Sequence, residues 1–282
     1  MTAYHQPLQR RLELLTSPEV RAIDKASAIV VQPIASVEQH GPHLPCATDT
    51  IMAEALTDRA IALTPTHVNV WRLPVMAYGK STEHLGYPGT ITLTTETLLA
   101  VCNDIGRSVA ASGFRKLVFV NGHGGQPQLL ETVARDIRER YGLLVFPLTP
   151  YRLGIPDGLI SSPDELNYGL HGGEMETSVL MALAPDLVRA DRLVSGSTAL
   201  KDIYEPLRYL SLEGALPTAW LSRDLAPNGV PGDPRLATAA KGEVMVKHWT
   251  SNLAGVFAEI AAFEFTRHTA ITPARATLAP NL

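Results

Sequence analysis

The sequence predicts a single α/β domain: a mostly parallel β-sheet flanked by helices on both faces. Short runs rich in Val and Ile alternate with longer stretches of helical periodicity, the pattern of strand–helix–strand units. No linker-like stretch divides the 282 residues, and no internal repeat is evident. Hydrophobic residues make up 45% and charged residues 18%, as expected of a compact globular domain.

The elements follow in order. ASAIVVQPIAS (26–36) reads as a buried strand, and residues 50–63 carry apolar side chains at helical spacing. HVNVWRLPVMAYG (67–79) is strand-like. Residues 94–113 form a helix with Thr94 or Thr95 as N-cap and Gly113 as its stop. RKLVFVNGHGG (115–125) is a strand running into a glycine-rich turn, and Pro127 suits the first turn of the helix that follows. LLVFPLTPY (143–151) is the last strand. Periodicity weakens over 152–170 and 196–235, where long loops are expected to shape a pocket. The ends, about 1–14 and 266–282, read as flexible tails.

Composition narrows the function. A net charge of −4 argues against nucleic-acid and anionic-membrane partners, which favour a basic face. No apolar run reaches about 18 residues, the length a membrane span needs. The first residues lack the apolar core of a signal peptide. Two cysteines, Cys46 and Cys102, are too few for a disulfide framework. These features together suggest a cytoplasmic protein.

The chemistry concentrates in three stretches. VEQHGPHLPCATDT (37–50) crowds Glu38, His40, His43 and Asp49 into a proline-stiffened loop at a strand end. Glu38 and His40, two apart on extended backbone, can face one cavity. Asp49 could equally be a carboxylate near a helix cap, His43 could point away, and Cys46 reads as a small filler. In VNGHGGQ, His123 ends a hydrophobic strand between glycines, where the backbone can be approached closely; an anion-binding turn is the alternative. In HGGEMETS (171–178), His171 repeats that pattern, and Glu174 and Glu176 open a helix whose dipole would favour them anyway. The combined Glu, His and Asp set, without thiolates, suits catalytic Zn, Mn or Fe(II). Its size fits two metals bridged by a carboxylate.

With STEHLGYPGTITL (81–93) and GVPGDPRLATAAKG (229–242), these motifs resemble, in order, those of the creatininase family of metal-dependent amidohydrolases, over about residues 15–262. The resemblance implies a homohexamer of single α/β domains, each with two divalent metal ions, Zn and/or Mn with Fe as a further option. It implies Glu38, Asp49 and His123 on one metal, and His40 and the bridging Asp49 on the other. Creatinine-hydrolysing members take a further ligand two residues after the histidine matched by His123, where this chain has Gly125. The resemblance implies Glu174, from the HGGE motif, as the replacement; side chains two apart on a helix point about 200° apart, so Glu176 is not expected on the same cation. His171 is the expected proton shuttle, with Glu174 beside it in the catalytic set, and Glu83, His84 and Tyr168 are expected around the substrate. Tyr168 stands where a tryptophan would favour creatinine. The implied reaction is hydrolysis of a non-peptide C–N bond in a small polar molecule. Ring opening of a keto-inositol and cleavage of a cofactor-precursor peptide are the alternatives, and a non-catalytic binding protein comes last.

Overall fold

A computed structural model describes residues 10–196 and 200–265. Its sheet has four parallel strands, β1 (Ile29–Ile34), β2 (Val70–Arg72), β3 (Lys116–Asn121) and β4 (Leu144–Leu148), in the order β2-β1-β3-β4. Register pairs Ile29 with Val70 on one side and with Lys116 on the other, and Lys116 with Leu144. The principal helices are α1 (Thr48–Leu63), α2 (Thr95–Ala111), α3 (Pro127–Tyr141), α4 (Glu174–Leu183) and α5 (Ala239–Ala262).

Alternation along the strands builds two cores. Val30, Ile34, Leu117 and Phe119 face α2 and α3, meeting Leu98, Cys102, Val109, Leu130, Val133 and Ile137. Ile29, Val31, Val118 and Val120 face the other way, onto Ala60 and Ile61 of α1 and Leu253, Phe257 and Ile260 of α5. Both strand faces are buried, which is why these strands read as continuous apolar runs. Helix α4 packs through Val179 and Leu180 against Met52, Leu56, Met245 and Trp249. At the foot of β3 the buried Lys116 donates to the carbonyls of Ile260 and Ala261, 2.9 and 2.8 Å away, capping the carboxyl end of α5.

Thr94 caps α2 by accepting from the amide of Thr97, and α3 starts at Pro127. The strand expected over 67–79 is shorter. Leu73 still donates to Val31 and Met76 to Pro33, but Pro74 between them has no N–H to continue the ladder. The expected tails at 1–9 and 266–282 lie outside the described residues. Within the rest of the expected N-terminal tail, Leu12–Leu14 form a 3-10 turn with Leu12 packed into the core. Among the described residues no helix is long and apolar enough to cross a membrane.

The strand order places the site. From β1 the chain moves to β2 on one side, then crosses to β3 on the other. The loops leaving β1 and β3 therefore diverge at the carboxyl edge, and the crevice between them is where such sheets bind ligands.

Candidate metal centre

Past β1, Glu38 and His40 turn into this crevice and are buried. Asp49 reaches it from the first turn of α1. His123 follows β3 by two residues, and Asn121 fixes it from both sides: its Oδ1 accepts from the His123 amide at 3.1 Å and its Nδ2 donates to the His123 carbonyl at 2.6 Å. His171 arrives from the turn before α4, where Gly172 adopts φ of 63°, a left-handed conformation that favours glycine.

Asp49 stands at the centre. Its Oδ1 lies 3.2 Å from His40 Nε2 and its Oδ2 lies 3.1 Å from His123 Nδ1. His123 Nδ1 is also 3.1 Å from Glu38 Oε2, and His40 Nε2 is 3.8 Å from Glu176 Oε2. Two three-residue sets thus share Asp49: Glu38–Asp49–His123 and His40–Asp49–Glu176. A third, Glu38–His40–His171, overlaps them. His40 Nε2 and Asp49 Oδ2 are buried with no hydrogen bond of good geometry. Buried polar atoms are seldom left so, and nitrogen and carboxylate atoms converging without a partner fit a divalent cation.

Glu174 is not brought to this cluster. It is fully buried, but its carboxylate accepts from the amide and hydroxyl of Ser161, at 2.9 and 2.7 Å, and pairs with Lys241. Glu174, expected as ligand and catalytic group, is thus held away from the cluster, and the glutamate of α4 that stands there is Glu176. Helix α4 begins at Glu174 itself; that phase turns Glu174 toward Ser161 and Lys241, and Glu176 toward His40. Tyr168 is also elsewhere, packed with Leu200, Leu212 and Leu225 at the end of a short helix (Pro163–Tyr168). The aromatic side chains lining the cavity are Tyr151 and Trp220, the latter from a stretch with no readable periodicity.

Glu83 and His84 both line the cavity. Glu83 Oε1 is 3.2 Å from His123 Nε2 and its Oε2 is 3.0 Å from Lys80 Nζ. Gln39 Nε2 and Ser222 Oγ donate to His84 Nδ1, leaving its Nε2 directed at Glu38 Oε1, 3.4 Å away. Ser81 Oγ donates to Glu38 Oε2, a contact that sequence reasoning missed. His43 lies outside the three sets, its Nε2 at 3.0 Å from the Gly172 carbonyl and 2.9 Å from Thr177 Oγ1.

Charge is strongly biased here. Burial would lower the pKa of His40, but Asp49, Glu176 and Glu38 outweigh it and hold it at about 10. His123 is likewise raised despite burial, chiefly by Glu38. Burial opposes ionisation of Asp49, yet His40 and His123 keep its pKa below the usual range. Burial raises Glu176 to about 7, whereas in Glu83 His123 overcomes burial and brings it to about 2. Burial and the neighbouring His40 push His171 well down. Its Nε2–H donates to the Gln39 carbonyl at 2.6 Å, so Nδ1, 3.6 Å from Glu38 Oε1, carries the lone pair.

The cavity over the cluster measures about 330 Å³. Carboxylates and imidazoles form its floor, Ile155, Ile160, Leu166, Leu170 and Trp220 line its wall, and Arg152 is the one Arg or Lys among its lining residues.

Comparison with known proteins finds similarity over most of the chain. The family model for creatininase (creatinine amidohydrolase) matches residues 13–257. A mycofactocin precursor peptide peptidase of Mycolicibacterium smegmatis is 35% identical over 246 residues, 86% of this chain and 89% of that protein. A creatinine amidohydrolase of Pseudomonas putida is 28% identical over 267 residues, 87% of this chain and 95% of that one. The solved structure of a creatinine amidohydrolase homologue from Bacteroides fragilis superposes with a TM-score of 0.76 at 27% identity, covering 93% of this chain and 100% of that chain. A solved manganese form of creatininase gives a TM-score of 0.70 at 23% identity over 89% of this chain and 98% of its own, which shows the shared fold alone.

Proposed function

The chain belongs to the creatininase family, and on that premise we propose that it is a metal-dependent hydrolase of an amide C–N bond. The observation carrying this reading is Asp49, whose two oxygens face two different histidines, each with its own further carboxylate. Glu38, Asp49 and His123 would hold one divalent cation, and His40, Asp49 and Glu176 the other. Such a pair supplies Lewis acidity at a carbonyl oxygen and lowers the pKa of water toward neutrality. The nitrogen and carboxylate donors suit zinc or manganese.

The chain's own residues supply proton movement and orientation. His171 is neutral, with its Nε2–H tied to Gln39 and Nδ1 open on the cluster side. It therefore accepts a proton from the attacking water before passing it to the leaving nitrogen. The His40 and His84 rings, 4.1 and 4.2 Å away between centroids, sandwich it and hold that aim.

The expectation of a small polar, non-peptide substrate gives way here to a peptide. The aliphatic wall and Trp220 offer more apolar surface than a small lactam uses. The 35%-identical relatives named as peptidases support the same choice. A homohexamer belongs to this reading too, and its mass in solution checks it. The test of function is turnover on short peptides with apolar side chains, set beside creatinine, formamides and keto-inositols, before and after chelation. The expected result is peptide cleavage lost on chelation and restored by zinc or manganese. Turnover in stripped protein would remove the metal mechanism; turnover confined to non-peptide amides would return the substrate to that class.

A further inference from the structure

A helical turn over Thr82–His84 arches above His123, and its Glu83 carboxylate is unusual in two ways. Oε1 is buried without a hydrogen bond of good geometry, although it lies 3.2 Å from His123 Nε2. It also fills the volume that a side chain at residue 125 would need. A Cβ built on Gly125 would overlap Glu83 Oε1 and come within 2.6 Å of His123 Nε2. Glycine at 125 and a carboxylate from residue 83 are therefore a matched pair, 42 positions apart in sequence.

We propose that Glu83 is a positioning residue of the metal centre, its carboxylate occupying the space left by Gly125 and fixing His123 with Nδ1 turned to Glu38 and Asp49. The two edges of the His123 ring face different tasks. Nε2 meets two acceptors, the Lys80 carbonyl at 3.0 Å and Glu83 Oε1. Nδ1 meets Glu38 and Asp49, each at 3.1 Å. A neutral imidazole carries one proton. With it on Nε2, Nδ1 offers a lone pair to a cation between the carboxylates; with it on Nδ1, the same carboxylates bind the proton and the place is taken. The Lys80 carbonyl favours the first arrangement, and the anionic Glu83 favours it further while making Nδ1 a stronger donor of electrons, as carboxylates behind ligand histidines do. Lys80 Nζ, 3.0 Å from Oε2, keeps the carboxylate in place.

The inference rests on the metal-centre reading, and one experiment separates the two. Zinc affinity is measured by chelator competition on metal-stripped full-length protein for wild type, Glu83→Ala, Gly125→Ala and the double variant, each checked for folding by circular dichroism. Wild type is expected to bind zinc, and each single variant to lose roughly 10–100-fold, the usual effect of removing such a partner. The double variant is expected to lose less than the two single losses combined, because part of the Gly125→Ala effect is displacement of a carboxylate that is already gone, the rest being its Cβ against His123 Nε2. Affinity of Glu83→Ala within about twofold of wild type, or losses that add in the double variant, would overturn the role of Glu83 and leave the metal centre standing. Wild type that binds no zinc would remove both.

Discussion

His40 and His123 each face carboxylates across about 3 Å. Without a metal the positive charge between them is a proton, as the raised pKa values of both imidazoles record. Uptake of a cation must expel those protons. Calorimetric titration with zinc near pH 7, in buffers of different ionisation enthalpy, should count about one to two protons released per subunit. Affinity should rise with pH between about 6 and 8, since the protein then has less proton to displace. Binding without proton release and independent of pH would contradict this. In the metal-free protein the sign reverses for stability. The raised value of His40 stabilises the fold below its unfolded pKa of about 6.5, and that contribution is lost as pH climbs through about 10. Much of this cluster was legible in the sequence. The spacing of Glu38 and His40 puts both on one side of extended chain, and His123 ends a strand. Ser81 and Trp220 carried no signal, because their roles depend on segments that only the fold brings near.

Elements were legible where apolar periodicity is sustained, as in α1, in α2 with its Thr94 cap and in α3 with Pro127 in its first turn. Helix α5, the longest among the described residues, was missed: ATAAKG, at its start, entered the sequence reading only as the end of a family motif, although Thr238 caps it by accepting from Lys241. Helix α4 shows a subtler limit. The family resemblance pointed to Glu174 rather than Glu176, but the choice turns on helix phase and on contacts to Ser161 and to the distant Lys241. The two glutamates therefore predict opposite phenotypes. Glu176→Gln should lose about one metal per subunit and keep its unfolding midpoint. Glu174→Gln should keep its metal and lose about 1–3 kcal/mol of stability by loosening Lys241 and the Ser161 loop. Metal analysis paired with thermal unfolding of both variants checks this, and the reverse pattern would restore Glu174 as the ligand.

For the whole molecule, the order β2-β1-β3-β4 explains why residues as distant as Glu38, His123 and Glu176 meet. The loops after β1 and β3 part at the crevice, and α4 closes it by packing on α1 and α5. Alternating strand and helix patterns gave the class of this architecture. The wall of the cavity comes from residues 152–170 and 213–220, within the aperiodic stretches expected to shape a pocket, although nothing there told which side chains would line it. The central claim is that Asp49 would serve as a ligand in two cation sites. It is tested most directly by metal content per subunit in wild type and in Asp49→Ala, both purified folded and loaded with zinc. The account predicts about two metals in wild type and close to none in the variant, since both sites lose a ligand at once. An Asp49→Ala protein that still holds two, or a wild type that holds none, would contradict it.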